Sequence, residues 1–354
     1  MILDRYIGKS IIIGCMLATF VMLSIFMFVD FVAQLSYVGT GDYGNMQAVL
    51  YVLMRLPQRL YELAPSILLL GGILSLGAMA ANSELIVMRA SGVTTLRITR
   101  SVLQAGMLLA VLVVVLGEFI APEAARTAKT YRAEALEKKL IVGGSSDLWA
   151  RDGNRYVNVK RVLPDQQLRD VMLFEIDVDR RLKQIVHASN AQYVGDRWQL
   201  EDVSGTLFAD GSTSTVYHES LEMDRLILLE LFSVLELETH DMSASELYSY
   251  SDYLDTNSLD NDEYMLAFWI KVFTPFTCLA MLLIAMPIVF ATTPRSGGAG
   301  QRVIIAVLIG VVYFVINRSV NHLGLALDVK PLLSAALPLL LVTAISVYFL
   351  RRVQ

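Results

Sequence analysis

A set of basic residues carries the chain's clearest chemical possibility. Arg55 and Arg59 are four apart and share one face of a helix, while Arg126, Lys129 and Arg132 follow at intervals of three, within one arc of another. Lys271 stands just inside an apolar run. Guanidinium and ammonium groups so placed make charge-assisted hydrogen bonds to phosphate, the chemistry of an anionic lipid headgroup. The plainer account of each is a cation that snorkels to an interface, or that pairs locally as Arg59 can with Glu62.

A second stretch, Asn82 to Gly92, has the makings of a docking element. Ser83 can cap a helix, Glu84 falls in its first turn where a carboxylate favours the positive end of the dipole, and Ser91-Gly92 supplies a stop. Leu85 and Met88 share a face of this two-turn piece, with Ile86 and Arg89 beside it, so it is amphipathic and suits a membrane surface. A soluble partner could grip it; a bare connector touching lipid headgroups is the simpler alternative.

Other chemistries find no support. There is no G-x-x-x-x-G-K-[ST] loop: Gly297-Gly298-Ala299-Gly300-Gln301-Arg302 has glycines but neither the lysine nor a preceding strand, so no ATP hydrolysis is expected by that route. His187, His218, His240 and His322 lack the spacing of a metal motif, and no serine sits in a G-x-S-x-G elbow. No catalytic residue, metal site or bound cofactor is expected of this chain. Net charge is -5 without a dense basic run, which argues against nucleic acid as a partner.

The elements that must position these residues follow from composition. Of 354 residues, 55% are hydrophobic and 18% charged, with a mean hydropathy of +0.53, as in a membrane protein. Cys15 and Cys278 fall inside apolar runs and act as small hydrophobes. Spans are expected near Ile11 to Leu35, Leu63 to Ala81, Leu103 to Ala121, Leu266 to Ala291, Val303 to Ile316 with some extension, and Leu332 to Leu350. Asn317 and Arg318 cut the fifth short, and Asp30 is the odd charge of the first. Pro65, Pro275 and Pro287 each remove a backbone donor within a span, as a static kink or as a hinge.

The first span has no small-residue cleavage motif at its end and reads as a retained anchor. Arg5, Lys9, Arg89, Arg97, Arg100, Arg295, Arg302, Arg351 and Arg352 fall on one side of the six spans, which the positive-inside rule makes cytoplasmic, with both termini. The inserted polar region then lies on the outer side. It opens with a helix, Pro122 to Lys139, whose Glu134 and Lys138 have the spacing of a pair. Short strands follow around Asp152-Gly153-Asn154, Gly195-Asp196 and Asp210-Gly211, as in an antiparallel sandwich or open roll. From Ser243 helix returns. The organisation is therefore residues 1–121, three spans with the docking helix at 82–92; 122–262, helical connectors and a β domain; and 263–354, three more spans.

Several motifs resemble the LptF/LptG (YjgP/YjgQ) family of lipopolysaccharide export permeases, nearest its G members. They are Leu3-Asp4-Arg5-Tyr6-Ile7-Gly8-Lys9, Ser83 to Gly92, Gly117-Glu118 with Ala121-Pro122, Tyr131-Arg132-Ala133, Leu148-Trp149-Ala150-Arg151-Asp152-Gly153-Asn154, and Lys271-Val272-Phe273 with Pro275. The second is the most specific, and the likeness runs nearly end to end.

The resemblance implies an α-helical inner-membrane protein with six transmembrane helices and an inserted periplasmic antiparallel β-jellyroll. Its implied partners are the LptF subunit, a cytoplasmic LptB ATPase dimer that binds ATP and Mg, LptC with the periplasmic bridge, and lipopolysaccharide. Ser83, Glu84, Leu85, Met88, Arg89, Ala90 and Gly92 become the ATPase-coupling set, with Glu84 central and Leu85, Met88 and Ala90 packed in the ATPase groove. Lys129 and Arg132 become cations of the rim for lipid A phosphates, Arg59 more loosely; Arg55 and Lys271 complete the expected substrate-binding group. Lipopolysaccharide is taken up through a gate involving span one and, across the subunit interface, span five. One departure is that the outer end of span one, lysine-bearing in some members, here holds Asp30, Ser36 and Tyr37. The competing account is a membrane-anchored scaffold or receptor without ATP coupling.

Overall fold

In a computed structural model of the chain, the residues described are 2–136, 148–152, 154–163, 167–177, 181–194, 197–209, 212–223, 239–291 and 299–353. The glycine loop at 297–298 and Lys138 of the expected Glu134 pair lie outside them.

Six helical stretches are long and apolar enough to cross a membrane. The first is α1 (Ile2–Gln34), extended by a 3-10 turn at Leu35–Tyr37; a short helix, α2 (Asn45–Met54), leads into α3 (Leu56–Ala81). The short α4 (Glu84–Ala90) precedes α5 (Thr95–Val115), which passes through a π turn (Leu116–Ile120) into α6 (Ala121–Ala135) without a break. After the sheet come α7 (Ala244–Thr256), α8 (Asp262–Ala291), α9 (Ala299–Ala326) and α10 (Pro331–Val353).

Every helix outruns its apolar stretch, because backbone hydrogen bonding continues wherever the next residues keep helical angles. Asn317 and Arg318 therefore do not end the fifth span: α9 runs to Ala326, with Arg318 exposed on its surface. Pro65, Pro275 and Pro287 all lie inside continuous helices.

The third helix is the axis of the bundle. Leu69, Ile73 and Leu76 are wholly buried against Ile7, Ile11 and Cys15 of α1, Ile98 and Val102 of α5, and Met281, Leu282 and Ala285 of α8. Its approach to α1 depends on Gly71, where a Cβ would stand 2.5 Å from the Cα and Sγ of Cys15. By contrast α1, α9 and α10 leave large apolar side chains outward, among them Phe20, Phe28, Ile304 and Leu340. Such faces suit lipid or another helix.

The inserted region is one six-stranded antiparallel sheet: β1 (Leu148–Asp152), β2 (Arg155–Leu163), β3 (Gln167–Ile176), β4 (Leu182–Val194), β5 (Arg197–Ala209) and β6 (Ser212–Met223). The order is a meander; among the described residues no strand crosses over as in a Greek key. β5 is continuous through its glycine, since Gly205 stays paired with Val186 and Val216.

One row breaks the alternation of faces. Asp170 and Asp202 have φ of 55° and 51° and drop out of the pairing beside Ser189, while the rows either side keep one register. Buried positions change parity there: Leu168 then Val171 and Leu173, Val186 and Ala188 then Ala191, Trp198 and Leu200 then Val203. Because neighbouring strands shift at the same row, the apolar face stays on one side of the sheet. Tyr250 and Tyr253 of α7 pack against that face.

Candidate functional site

At the end of the bundle where α4 lies, Glu84 opens the helix with Ser83 before it, but Ser83 is left-handed, φ 65°, and makes no side-chain cap. The expected hydroxyl cap is therefore corrected: the tight turn from α3 uses Ser83 for its backbone angle, which turns its side chain away from the first helical N–H groups. Glu84 instead accepts a hydrogen bond from Tyr6 Oη at 2.8 Å. Gly92, with φ 89°, ends the turn after α4.

The faces of α4 are also reassigned. Leu85 is buried and Met88 packs against the same core of the chain's own bundle, whereas Ile86, Val87, Arg89 and Ala90 point outward. Seven residues make only two turns, and anchoring them to the bundle uses the apolar side that spacing alone offered to a partner. Arg89 lies over the Phe290 ring at 5.9 Å.

At the opposite end, the joint between α2 and α3, the length of α6 and the turn before α7 meet. Asp241, fully buried, takes Arg55 Nη2 at 3.0 Å and Lys129 Nζ at 3.1 Å, with His240 Nε2 at 3.4 Å. Gln58 Nε2 donates to the His240 carbonyl at 2.9 Å. Arg59 gives two donors to Asp30 and a third to Glu62. Arg126 pairs with Glu246 and, at 3.6 Å, with Glu123.

Arg132 is held differently. Its guanidinium lies 4.2 Å from the Tyr37 ring and 5.2 Å from the Tyr51 ring, with no carboxylate in ion-pair range among the described residues. Aromatic faces stabilise the charge without neutralising it. Lys271 lies deeper: its Nζ is buried, lacks a hydrogen-bond partner among the described residues, and stands 5.0 Å from the Tyr61 ring.

Arg55, Arg59, Arg126, Lys129 and Arg132 thus gather at one end of the bundle, most of them already engaged by carboxylates of the chain. Sequence reading missed Asp241, an isolated acid with no periodic signal. It named Glu118 within a motif but gave it no role, and here its carboxylate accepts from the N–H groups of Ala244 and Ser245 at 2.8 and 3.0 Å. A charge inside the apolar run of span three was its visible sign. No cluster of His, Cys, Asp and Glu able to hold a metal occurs among the described residues.

These features define a multi-span membrane protein with an inserted antiparallel sheet, a cluster of cations at one end of its helices and a small surface helix at the other end. The family model described as lipopolysaccharide export system permease LptF/LptG matches residues 5–352, and the chain belongs to that family. It is 31% identical over 360 residues to the lipopolysaccharide export system permease protein LptG of Escherichia coli (strain K12), covering 99% of this chain and 98% of that one. To the LptG of Haemophilus influenzae it is 30% identical over 342 residues, covering 96% and 95%.

Proposed function

We propose that this chain is the G-type permease subunit of a lipopolysaccharide exporter, set in the inner membrane with both termini cytoplasmic and the sheet periplasmic. The single observation that carries this reading is the family match over residues 5–352, together with LptG relatives aligned end to end. In this reading the chain hydrolyses nothing; ATP and Mg belong to a partner ATPase dimer. That dimer grips α4 through Glu84, Arg89 and the outward Ile86, Val87 and Ala90, while Leu85 and Met88 transmit its motion into the bundle. The outward faces of α1, α9 and α10 meet lipid and the F-type subunit.

Arg132 is the cation best prepared for a lipid A phosphate, because two tyrosines orient it and no described carboxylate competes. Arg55, Lys129 and Arg59 join when an anion of higher charge displaces Asp241 or Asp30. Lipid passes upward to the apolar face of the sheet and on to LptC and the periplasmic bridge. The test is copurification with tagged ATPase, wild type against Glu84→Lys, followed by lipopolysaccharide-stimulated ATP hydrolysis of the assembly with the F-type subunit. Assembly and stimulation in wild type, lost in the variant, support the reading; a wild-type chain that never captures the ATPase moves the scaffold account forward.

A further inference from the structure

The π turn in span three joins two observations that the transport reading leaves unused. A π turn holds one residue more than the α-helix it interrupts. Here it spans Leu116–Ile120 within an otherwise continuous helix from Thr95 to Ala135. Gly117 lies against the Tyr61 ring so closely that any Cβ would collide with it. Glu118, the next residue, leaves the helix sideways and caps α7 through the N–H groups of Ala244 and Ser245. Those are first-turn donors with no partner inside their own helix, and a carboxylate suits the positive end of the dipole.

The second observation is Lys271. Its buried Nζ has no hydrogen-bond partner among the described residues, and it stands over the same Tyr61 ring that Gly117 touches. Glu118 adjoins Gly117 in the π turn, and so lies beside the ring that Lys271 stands over. A buried ammonium without hydrogen bonds is costly, so a neighbouring carboxylate gains by turning towards it.

We propose that Glu118 is a two-position carboxylate: it caps α7 in the conformation seen here, and pairs with Lys271 when the π turn tightens to α-helix. Resting on the transport reading, this makes Glu118 the positioning residue through which the docking end of the chain moves the sheet. Tightening removes one residue from the turn, which rotates the following helix by about 100° and shifts it by about 1.5 Å. Only residues 91–94 separate α4 from α5, so displacement at α4 reaches the turn along one rigid helix. Released from Glu118, α7 keeps its own capping box, Ser243 with Glu246, and stays folded. Its tie to span three is what changes. Tyr250 and Tyr253 then carry the movement of α7 into the core of the sheet.

The experiment uses the full chain assembled with its ATPase and F-type subunit, spin-labelled at Met46 in α2 and Tyr217 in β6, both exposed. Buried Cys15 and Cys278 stay unlabelled. Distances are measured without and with a non-hydrolysable ATP analogue. Wild type is expected to shift its distance distribution with nucleotide. Lys271→Met, which removes the second position, cuts the shifted fraction about tenfold, as loss of about 1.4 kcal/mol of coupling requires. Glu118→Gln does the same, and the double variant is no worse than either single one. Should Glu118→Gln fail to assemble, Lys271→Met decides alone, since replacing a buried, unpartnered ammonium by an apolar isostere relieves a burial cost. A wild-type shift retained in Lys271→Met, with lipopolysaccharide-stimulated ATP hydrolysis intact, overturns the Glu118 proposal and leaves the transport reading standing. Absence of stimulated hydrolysis in wild type overturns the transport reading, and the proposal falls with it.

Discussion

Arg59 gives two donors to one carboxylate: its Nε and Nη2 reach Asp30 Oδ2 and Oδ1 at 2.7 and 2.9 Å, joining the C-terminal end of α1 to the N-terminal end of α3. Both side chains are mostly buried, so the pair is more than a surface contact. Asp30→Asn is expected to lower stability by about 1 kcal/mol, the upper end for pairs that retain some solvent. The exchange Asp30→Arg with Arg59→Asp recovers what either reversal alone loses. Thermal melting of the detergent-purified chain checks this; a double variant as unstable as the sum of the singles would show that the two residues act separately.

In the docking proposed for α4, Tyr6 matters because its hydroxyl donates to Glu84. Loss of one hydrogen bond to a charged group is worth about 1.5 kcal/mol, so Tyr6→Phe should weaken ATPase capture about tenfold, with Glu84→Lys abolishing it. Titration of the assembled complex reads both. Equal capture by Tyr6→Phe and wild type would mean that Glu84 is oriented by the partner instead.

Asp241 answers two cations, one from the joint of α2 and α3 and one from α6, while wholly buried. Asp241→Asn leaves them without that carboxylate, and breaking a buried pair on one side costs about 3 to 5 kcal/mol. Pairing the change with Lys129→Met should restore part of the loss. Melting temperatures of the single and double variants settle the matter, and a single variant within experimental error of wild type would remove Asp241 from the framework.

Acid should loosen α7 before the bundle. Burial alone would raise the Glu246 carboxyl, but the Ser243 N–H and then Arg126 outweigh it and hold it below its ordinary value of 4.5. Because the folded value is the lower, the stabilisation is present above the unfolded value and is lost as pH falls below 4.5 through the folded one. Limited proteolysis within α7 as a function of pH is expected to accelerate over that window. Arg126→Met should move the onset to higher pH; an unchanged onset would assign the protection to the Ser243 contact alone.

Legibility in the sequence followed the range of the forces involved. Apolar runs of membrane-spanning length, the hairpin of β1 and β2 and the return of helix after Ser243 depend on near neighbours along the chain, and they stand where local chemistry put them. Helix ends did not, as α9 shows by running past Asn317 and Arg318. The side of α4 that faces outward is not legible in the sequence for a different reason. Leu85 and Met88 are apolar on one face in either case, and only the position of the bundle decides whether that face is anchored or offered.

What the sequence by itself determined is the list of groups and their local frames: three spans, a strand-rich insert, three spans, and cations clustered at one level. Which cation is neutralised was decided by tertiary structure alone. Arg55 and Lys129 lie far apart in sequence and meet on Asp241, more than a hundred residues beyond either, while Arg132 is left between two tyrosines. An ion pair falls off over a few ångströms, so its partner is fixed by the packing of whole helices and carries no signature in the residues that flank it.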